Sequence, residues 1–204
     1  MEYKLFDKPR SCSAEFYAER AAVDHIQQPG GGSLRLYLAA GYAAHLIANE
    51  PEIETVGDFG CGTGGMLALL GGIMETVQPG RELTFYGYDL CPANVEMARA
   101  RGVDAELVDF PHNRDAIVWP DLLIMTEVIE HLESPHDFLW QIPKGTRVLF
   151  TVPAVDDGFR HDKTHLWSWT ETSFPDLCES RGIKVTRWER FKKIHQVVIG
   201  TKRR

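Results

Sequence analysis

The chain has 204 residues, a length that predicts one domain with a sizeable core and no need of disulfide staples. Hydrophobic residues make up 44% and charged residues 25%, globular proportions that argue against fibrous, low-complexity and disordered classes. The net charge of −7 conceals an asymmetry, because from Arg181 to Arg204 nine Lys or Arg stand against one acid, Glu189. The acidic remainder argues against broad nucleic-acid binding, and the basic tail reads as solvated side chains on a terminal hairpin.

Cysteines stand at 12, 61, 91 and 178 and form no C-x-x-C pair, so neither a zinc ribbon nor a thioredoxin motif is written here. They suit a reducing compartment. The start, MEYKLFDKPR, lacks the apolar core of a signal peptide, and no apolar run approaches the roughly 20 residues of a membrane span. A soluble cytoplasmic protein, monomeric or homodimeric, is expected.

In chain order, Ser13 can cap a helix to about Gln28, with Phe16, Ala21 and Val23 among its apolar positions. After Pro29 and the run Gly30-Gly31-Gly32, Ser33 can cap a second helix, with Leu34, Leu38, Ala39, Tyr42 and Leu46 at helical spacing. Pro51 closes it. From residue 53 short strands and helices alternate. Strands are predicted at 55–59, 83–88, 103–108, 121–125 and 147–152, with helices at 65–77, 92–101 and 135–142 between them. A helix over 170–181 then precedes strands at 184–190 and 195–201.

Strands joined by crossover helices build a parallel sheet covered on both faces. The last two strands are four residues apart and can pair only as an antiparallel hairpin. The expected fold is α/β, a doubly wound and mostly parallel seven-stranded sheet ending in a hairpin. Residues 1–52 are expected to form a helical cap, and residues 53–204 the ligand-binding unit.

The turn Asp58-Phe59-Gly60-Cys61-Gly62-Thr63-Gly64-Gly65 follows the first of these strands and opens a helix. Glycines serve where a backbone turns sharply and a ligand approaches the main chain. At the carboxyl edge of a parallel sheet this is where ligands bind. Asp89, closing the next strand, can accept hydrogen bonds from ribose hydroxyls. Gly60, Gly62 and Gly65 also satisfy a dinucleotide fingerprint. Against that reading, Asp58 is awkward beside a pyrophosphate but useful beside an ammonium, and the chain is short for a dinucleotide domain plus a substrate domain.

DFGCGTGG followed by YGYDL resembles the first two motifs of class I S-adenosylmethionine-dependent methyltransferases. The resemblance continues through VDF (Val108 to Phe110), LLIMTEVIEHL (Leu122 to Leu132) and VLFTVP (Val148 to Pro153), and covers roughly residues 50–202. It implies a Rossmann-like fold and S-adenosylmethionine as cofactor, with S-adenosylhomocysteine as product. Asp58, Gly60, Cys61, Gly62 and Gly64 would hold the methionine end. Asp89 would take the ribose, Leu90 would lie against the adenine, and Asp109 with the Phe110 backbone would meet its amino group. Thr126 and Glu127 would line the pocket beside the sulfonium. Cys61 reads as packing rather than as a nucleophile. Arg35 can reach the cofactor carboxylate from the cap or face solvent.

Glu127, Glu130 and His131 fall at i, i+3 and i+4, so one helix would point all three the same way. His161 and His165 follow in the later loop. The E-x-x-E-H segment is similar to that of ubiquinone-type O-methyltransferases. It is also similar to that of a family that 2′-O-methylates small-RNA 3′ ends, which holds Mg²⁺ with both glutamates, the histidine and a later histidine. Helix capping and cofactor positioning without an ion is the expectation, and a divalent metal is the alternative. His131 or His165 can act as general base toward a hydroxyl. Phe159, Trp167 and Trp169 either wall a flat acceptor or pack the loop. The expected function is methyl transfer to a small-molecule oxygen. The rivals are metal-dependent RNA 2′-O-methylation and non-catalytic cofactor binding.

Overall fold

The computed structural model describes residues 3–5, 14–18, 22, 24–27, 31–154, 165–191 and 195–204. Its elements are β1 (Tyr3–Leu5), α1 (Ala14–Ala18), α2 (Gly31–Asn49), β2 (Thr55–Phe59), α3 (Gly65–Val77), β3 (Thr84–Asp89), α4 (Pro92–Ala100) and β4 (Asp104–Leu107). They continue with β5 (Leu122–Thr126), α5 (Pro135–Gln141), β6 (Arg147–Pro153), β7 (Trp167–Trp169), α6 (Ser173–Ser180), β8 (Ile183–Phe191) and β9 (His195–Lys202). The expected seven strands form one sheet in the order β4-β3-β2-β5-β6-β9-β8. The first five pair in parallel, and β9 runs antiparallel to both β6 and β8.

Two apolar layers clamp this sheet. On one face α2, α3 and α4 bury Ala39, Ala43, Ile47, Leu70 and Val95 against Val56, Leu122, Ile124, Leu149, Val197 and Ile199. On the other, Phe138, Leu139, Phe174 and Leu177 of α5 and α6 meet Leu123, Met125, Phe150 and Val198. Alternation along each strand assigns the faces. Leu122-Leu123-Ile124-Met125 is buried throughout, as a central parallel strand requires. At the amino edge, Arg81 donates to the carbonyls of Ile47, Glu50 and Ile53, tying the end of α2 to the start of β2.

Four details differ from the sequence-based expectation. Residues 24–27 form a turn, so the first helix does not run to Gln28; its proposed cap Ser13, and Ala21 and Val23, lie outside the described residues. The second helix starts at Gly31, which places Ser33 inside its first turn instead of at the cap. A small two-stranded antiparallel sheet of β1 and β7 joins the start of the chain to Trp167–Trp169. The basic tail is only partly solvated. Lys202 is buried and donates to the carbonyl oxygens of Leu139 (2.8 Å), Trp140 (3.2 Å) and Arg181 (2.5 Å), an environment rich enough in acceptors to hold an ammonium.

Candidate active site

β2 ends in a glycine turn that crosses the carboxyl edge of the sheet. Gly60 and Cys61 both donate their backbone N–H to Tyr88 O, at 2.7 and 3.0 Å, which fastens the turn to β3. Gly60 has φ +83°, and a Cβ there would lie 2.4 Å from Val128 Cγ2, so a side chain is refused on both counts. Gly62, at φ +55°, faces open space. Gly64 caps α3 and packs against Ala98 of α4 and Val103 beyond its end, away from the cleft.

Asp58 is 1% exposed, and neither of its carboxylate oxygens has a hydrogen-bond partner among the described residues. Burial, and secondarily the charge of Asp89, pushes its carboxyl up to about 8. It lines a cleft of about 60 Å³ together with Gly60, Gly62 and Thr126 from the sheet edge and Ile26 and Arg35 from the N-terminal segment. A buried acid without a partner and an arginine across one small cleft match the two charges of an amino-acid zwitterion. Cys61 also borders the cleft, but burial pushes its thiol well up, and its Sγ packs over Gly87.

Asp89 is held from three sides. It accepts from Gly62 N (2.7 Å), Cys91 N (2.8 Å) and Asn94 Nδ2 (3.1 Å), which locks the carboxylate between the glycine turn and the first turn of α4. Burial raises its carboxyl, and these bonds offset part of that rise. Leu90 beside it is half-buried. Asp109 lies 2.9 Å from His112 Nδ1, and the Phe110 ring is buried against Phe59 and Phe138; neither residue lines the cleft.

Beyond Thr126 the expected helix does not form. Glu127 has φ +57°, the left-handed region that non-glycine residues rarely adopt, and only a 3₁₀ turn at Ile129–His131 follows. The three residues expected on one helical face therefore separate. Glu127 points to the β6–β9 side, where its Oε1 accepts from Thr151 Oγ1 (3.2 Å) and its Oε2 lies 3.1 Å from His195 Nδ1. Glu130, His131 and His165 converge instead, each offering one ligand atom within 4.8 Å of the others. Glu130 is fully buried, and the two imidazole rings meet edge to face at 4.8 Å. His161 and Phe159 lie outside the described residues. Trp167 and Trp169 are buried and stacked at 6.3 Å, packing β7 onto the sheet.

His195 was not singled out by its sequence context, where it reads as one more strand residue. Strand parity is the signal that places it: it shares a face of β9 with Val197 and Ile199, which pack under α2.

Over residues 33–187 the sequence matches the family described as a methyltransferase domain. This chain belongs to that family, the class I S-adenosylmethionine-dependent methyltransferases. No curated protein matches the methyltransferase chain. Among solved structures it is similar to magnesium protoporphyrin IX methyltransferase from Synechocystis PCC 6803 with bound S-adenosylhomocysteine, at TM-score 0.61 and 12% identity over 86% of this chain and 89% of that one. The methyltransferase domain of bacterial CtHen1 matches at TM-score 0.60 and 18% identity, over 81% of this chain and 99% of that one. The [4+2]-cyclase SpnF matches at TM-score 0.63 and 13% identity, over 92% and 86%. A cyclase on this fold illustrates that the methyltransferase's acceptor chemistry must be argued from its own side chains. Among the described residues no helix is long and apolar enough to cross a membrane.

Proposed function

We propose that this methyltransferase transfers the methyl group of S-adenosylmethionine to a hydroxyl oxygen of a small-molecule acceptor. The observation that carries the reading is the convergence of Glu130, His131 and His165 just downstream of Thr126, which itself lines the cleft holding Asp58. The unpartnered Asp58 carboxylate fits the cofactor's ammonium, and Arg35 fits its carboxylate. Asp89 accepts from the ribose hydroxyls, Leu90 lies against the adenine, and Asp109 with the Phe110 backbone meets the adenine amino group. When bound, S-adenosylmethionine supplies a methyl group already activated by its sulfonium.

The protein's own part is alignment, exclusion of water and removal of one proton. Holding an acceptor in line with the methyl group is worth on the order of 7–11 kcal/mol. An imidazole nitrogen of the His131–His165 pair takes the hydroxyl proton, and Glu130 at their side stabilises the imidazolium that forms. From the N-terminal segment, His25, Ile26, Arg35 and Leu36 border the cofactor cleft.

The 4.8 Å clustering also supports a second reading, in which the same three side chains hold a divalent cation. Neighbouring ligands at about 2.1 Å from an ion stand roughly 3.0–3.4 Å apart, so closure of about 1.5 Å brings the three into coordination. Such an ion would acidify the acceptor hydroxyl, as a terminal 2′-hydroxyl of RNA would need. Incubation of the chain with methyl-labelled S-adenosylmethionine and fractionated cell extract tests the proposal. Label in small metabolites supports it, label in RNA supports the metal-dependent alternative, and label left in the cofactor marks a non-catalytic binding protein.

A further inference from the structure

The turn at residues 24–27 carries Ile26 into the cofactor cleft, and an ion pair ties that turn to the end of α4. The carboxylate of Asp24 takes both terminal nitrogens of Arg101, Nη2 to Oδ2 and Nη1 to Oδ1, the latter at 3.2 Å. Arg101 Nη1 also donates to Thr63 O (3.2 Å) and to Thr63 Oγ1 (3.0 Å), and Thr63 Oγ1 donates on to Asp24 Oδ1 (3.3 Å). Three parts of the chain therefore meet at one guanidinium: the N-terminal segment, the glycine turn and the end of α4. Gly65 makes the meeting possible, since a Cβ there would lie 2.8 Å from Ile26 Cγ2 and 3.0 Å from Arg101 Nη1. The pair is largely withdrawn from water, with side chains 19% and 22% exposed, and its two-pronged geometry adds direction to the charge.

Nothing in the glycine turn itself requires an arginine at 101 or an acid at 24. Their shared effect is to hold His25, Ile26 and Thr63 in the lining of the cleft that also contains Asp58. We infer that Asp24 and Arg101 are positioning residues for the cofactor, their ion pair fixing one wall of the methionine-end cleft so that bound ligand leaves only when the pair opens. This rests on the reading of that cleft as the S-adenosylmethionine site.

The test is the binding kinetics of S-adenosylhomocysteine on the full chain, measured by surface plasmon resonance beside thermal unfolding. Arg101→Ala and Asp24→Ala should each raise the dissociation rate on the order of tenfold. The double variant should dissociate more slowly than the product of the two single effects predicts, because both remove the Asp24–Arg101 contact. Arg101→Lys, which keeps the charge and loses the fork, should fall between wild type and Arg101→Ala. If Arg101→Ala does not fold, Asp24→Asn, which leaves the Arg101–Thr63 bonds in place, reads the same rate. Wild-type dissociation rates in folded variants, or losses that simply add in the double variant, would overturn the inference. A wild-type chain that fails to bind S-adenosylhomocysteine at all would overturn the cofactor reading, and this inference with it.

Discussion

Glu127 sets its carboxylate 3.1 Å from His195 Nδ1, across a span of 68 residues in sequence, and adopts a left-handed backbone to do so. The pair closes the gap between the end of β5 and the start of β9, with Thr151 of β6 as the third member. Both side chains are nearly withdrawn from solvent, at 11% and 12% exposure. A strained residue held by a paired carboxylate at the edge of an active site is the pattern expected where geometry matters more than local stability.

That relationship separates two variants usually treated alike. Glu127→Gly and Glu127→Ala lose the same two bonds, but only alanine keeps the strain of φ +57°. Alanine should therefore be the less stable by about 1 kcal/mol in urea unfolding. An alanine variant as stable as the glycine one would show that the left-handed backbone at this position costs nothing.

Asp58 should be a liability in the empty protein. Its folded carboxyl is pushed up to about 8, far above its unfolded value, so between roughly pH 4 and 8 the folded state binds more protons than the unfolded one. Its contribution to stability thus falls as pH rises through that window, and the full penalty is present above it. Asp58→Asn should melt higher than wild type at pH 8, show little difference near pH 4, and bind S-adenosylhomocysteine at least about tenfold more weakly. Thermal melts at both pH values with calorimetry at neutral pH check this, and a variant that melts lower at pH 8 would contradict it.

Asp89 has a structural role that its sequence position alone did not reveal. Besides the ribose contact proposed for it, it accepts from Gly62, Cys91 and Asn94, so removing it should loosen the glycine turn as well as the ligand. Asp89→Ala is expected to weaken S-adenosylhomocysteine binding by more than about tenfold and to lower folding stability by about 2 kcal/mol. Unchanged affinity in a folded variant would remove Asp89 from the ribose site.

The succession of strands, the crossover helices and the glycine turn were legible because each rests on local signals: strand propensity, helical spacing and glycines required by backbone shape. The positions of Asp58 and Asp89 near the ends of their strands were legible for the same reason. What escaped was set by contacts distant in sequence. The i, i+3, i+4 spacing of Glu127, Glu130 and His131 reads as one helical face, but the tie from Glu127 to His195 pulls the first residue into a left-handed turn and leaves a single 3₁₀ turn for the others. The Asp24–Arg101 pair is likewise invisible locally, since 77 residues separate its members.

The divalent-cation alternative makes its own demand. If Glu130, His131 and His165 hold an ion, chelation with EDTA should abolish methyl transfer, added Mn²⁺ or Mg²⁺ should restore it, and Glu130→Gln should copy the chelated state. Full activity after chelation, with loss in His131→Ala or His165→Ala, is the outcome expected when an imidazole alone takes the proton.

The most direct measurement is nuclear magnetic resonance of the product formed from S-adenosylmethionine carrying an isotope-labelled methyl group. The account predicts one labelled small molecule whose methyl resonates as an O–CH₃ group, formed in step with S-adenosylhomocysteine and lost in Asp58→Asn. A labelled N–CH₃ or C–CH₃ product, or cofactor that binds and is never consumed, would contradict it.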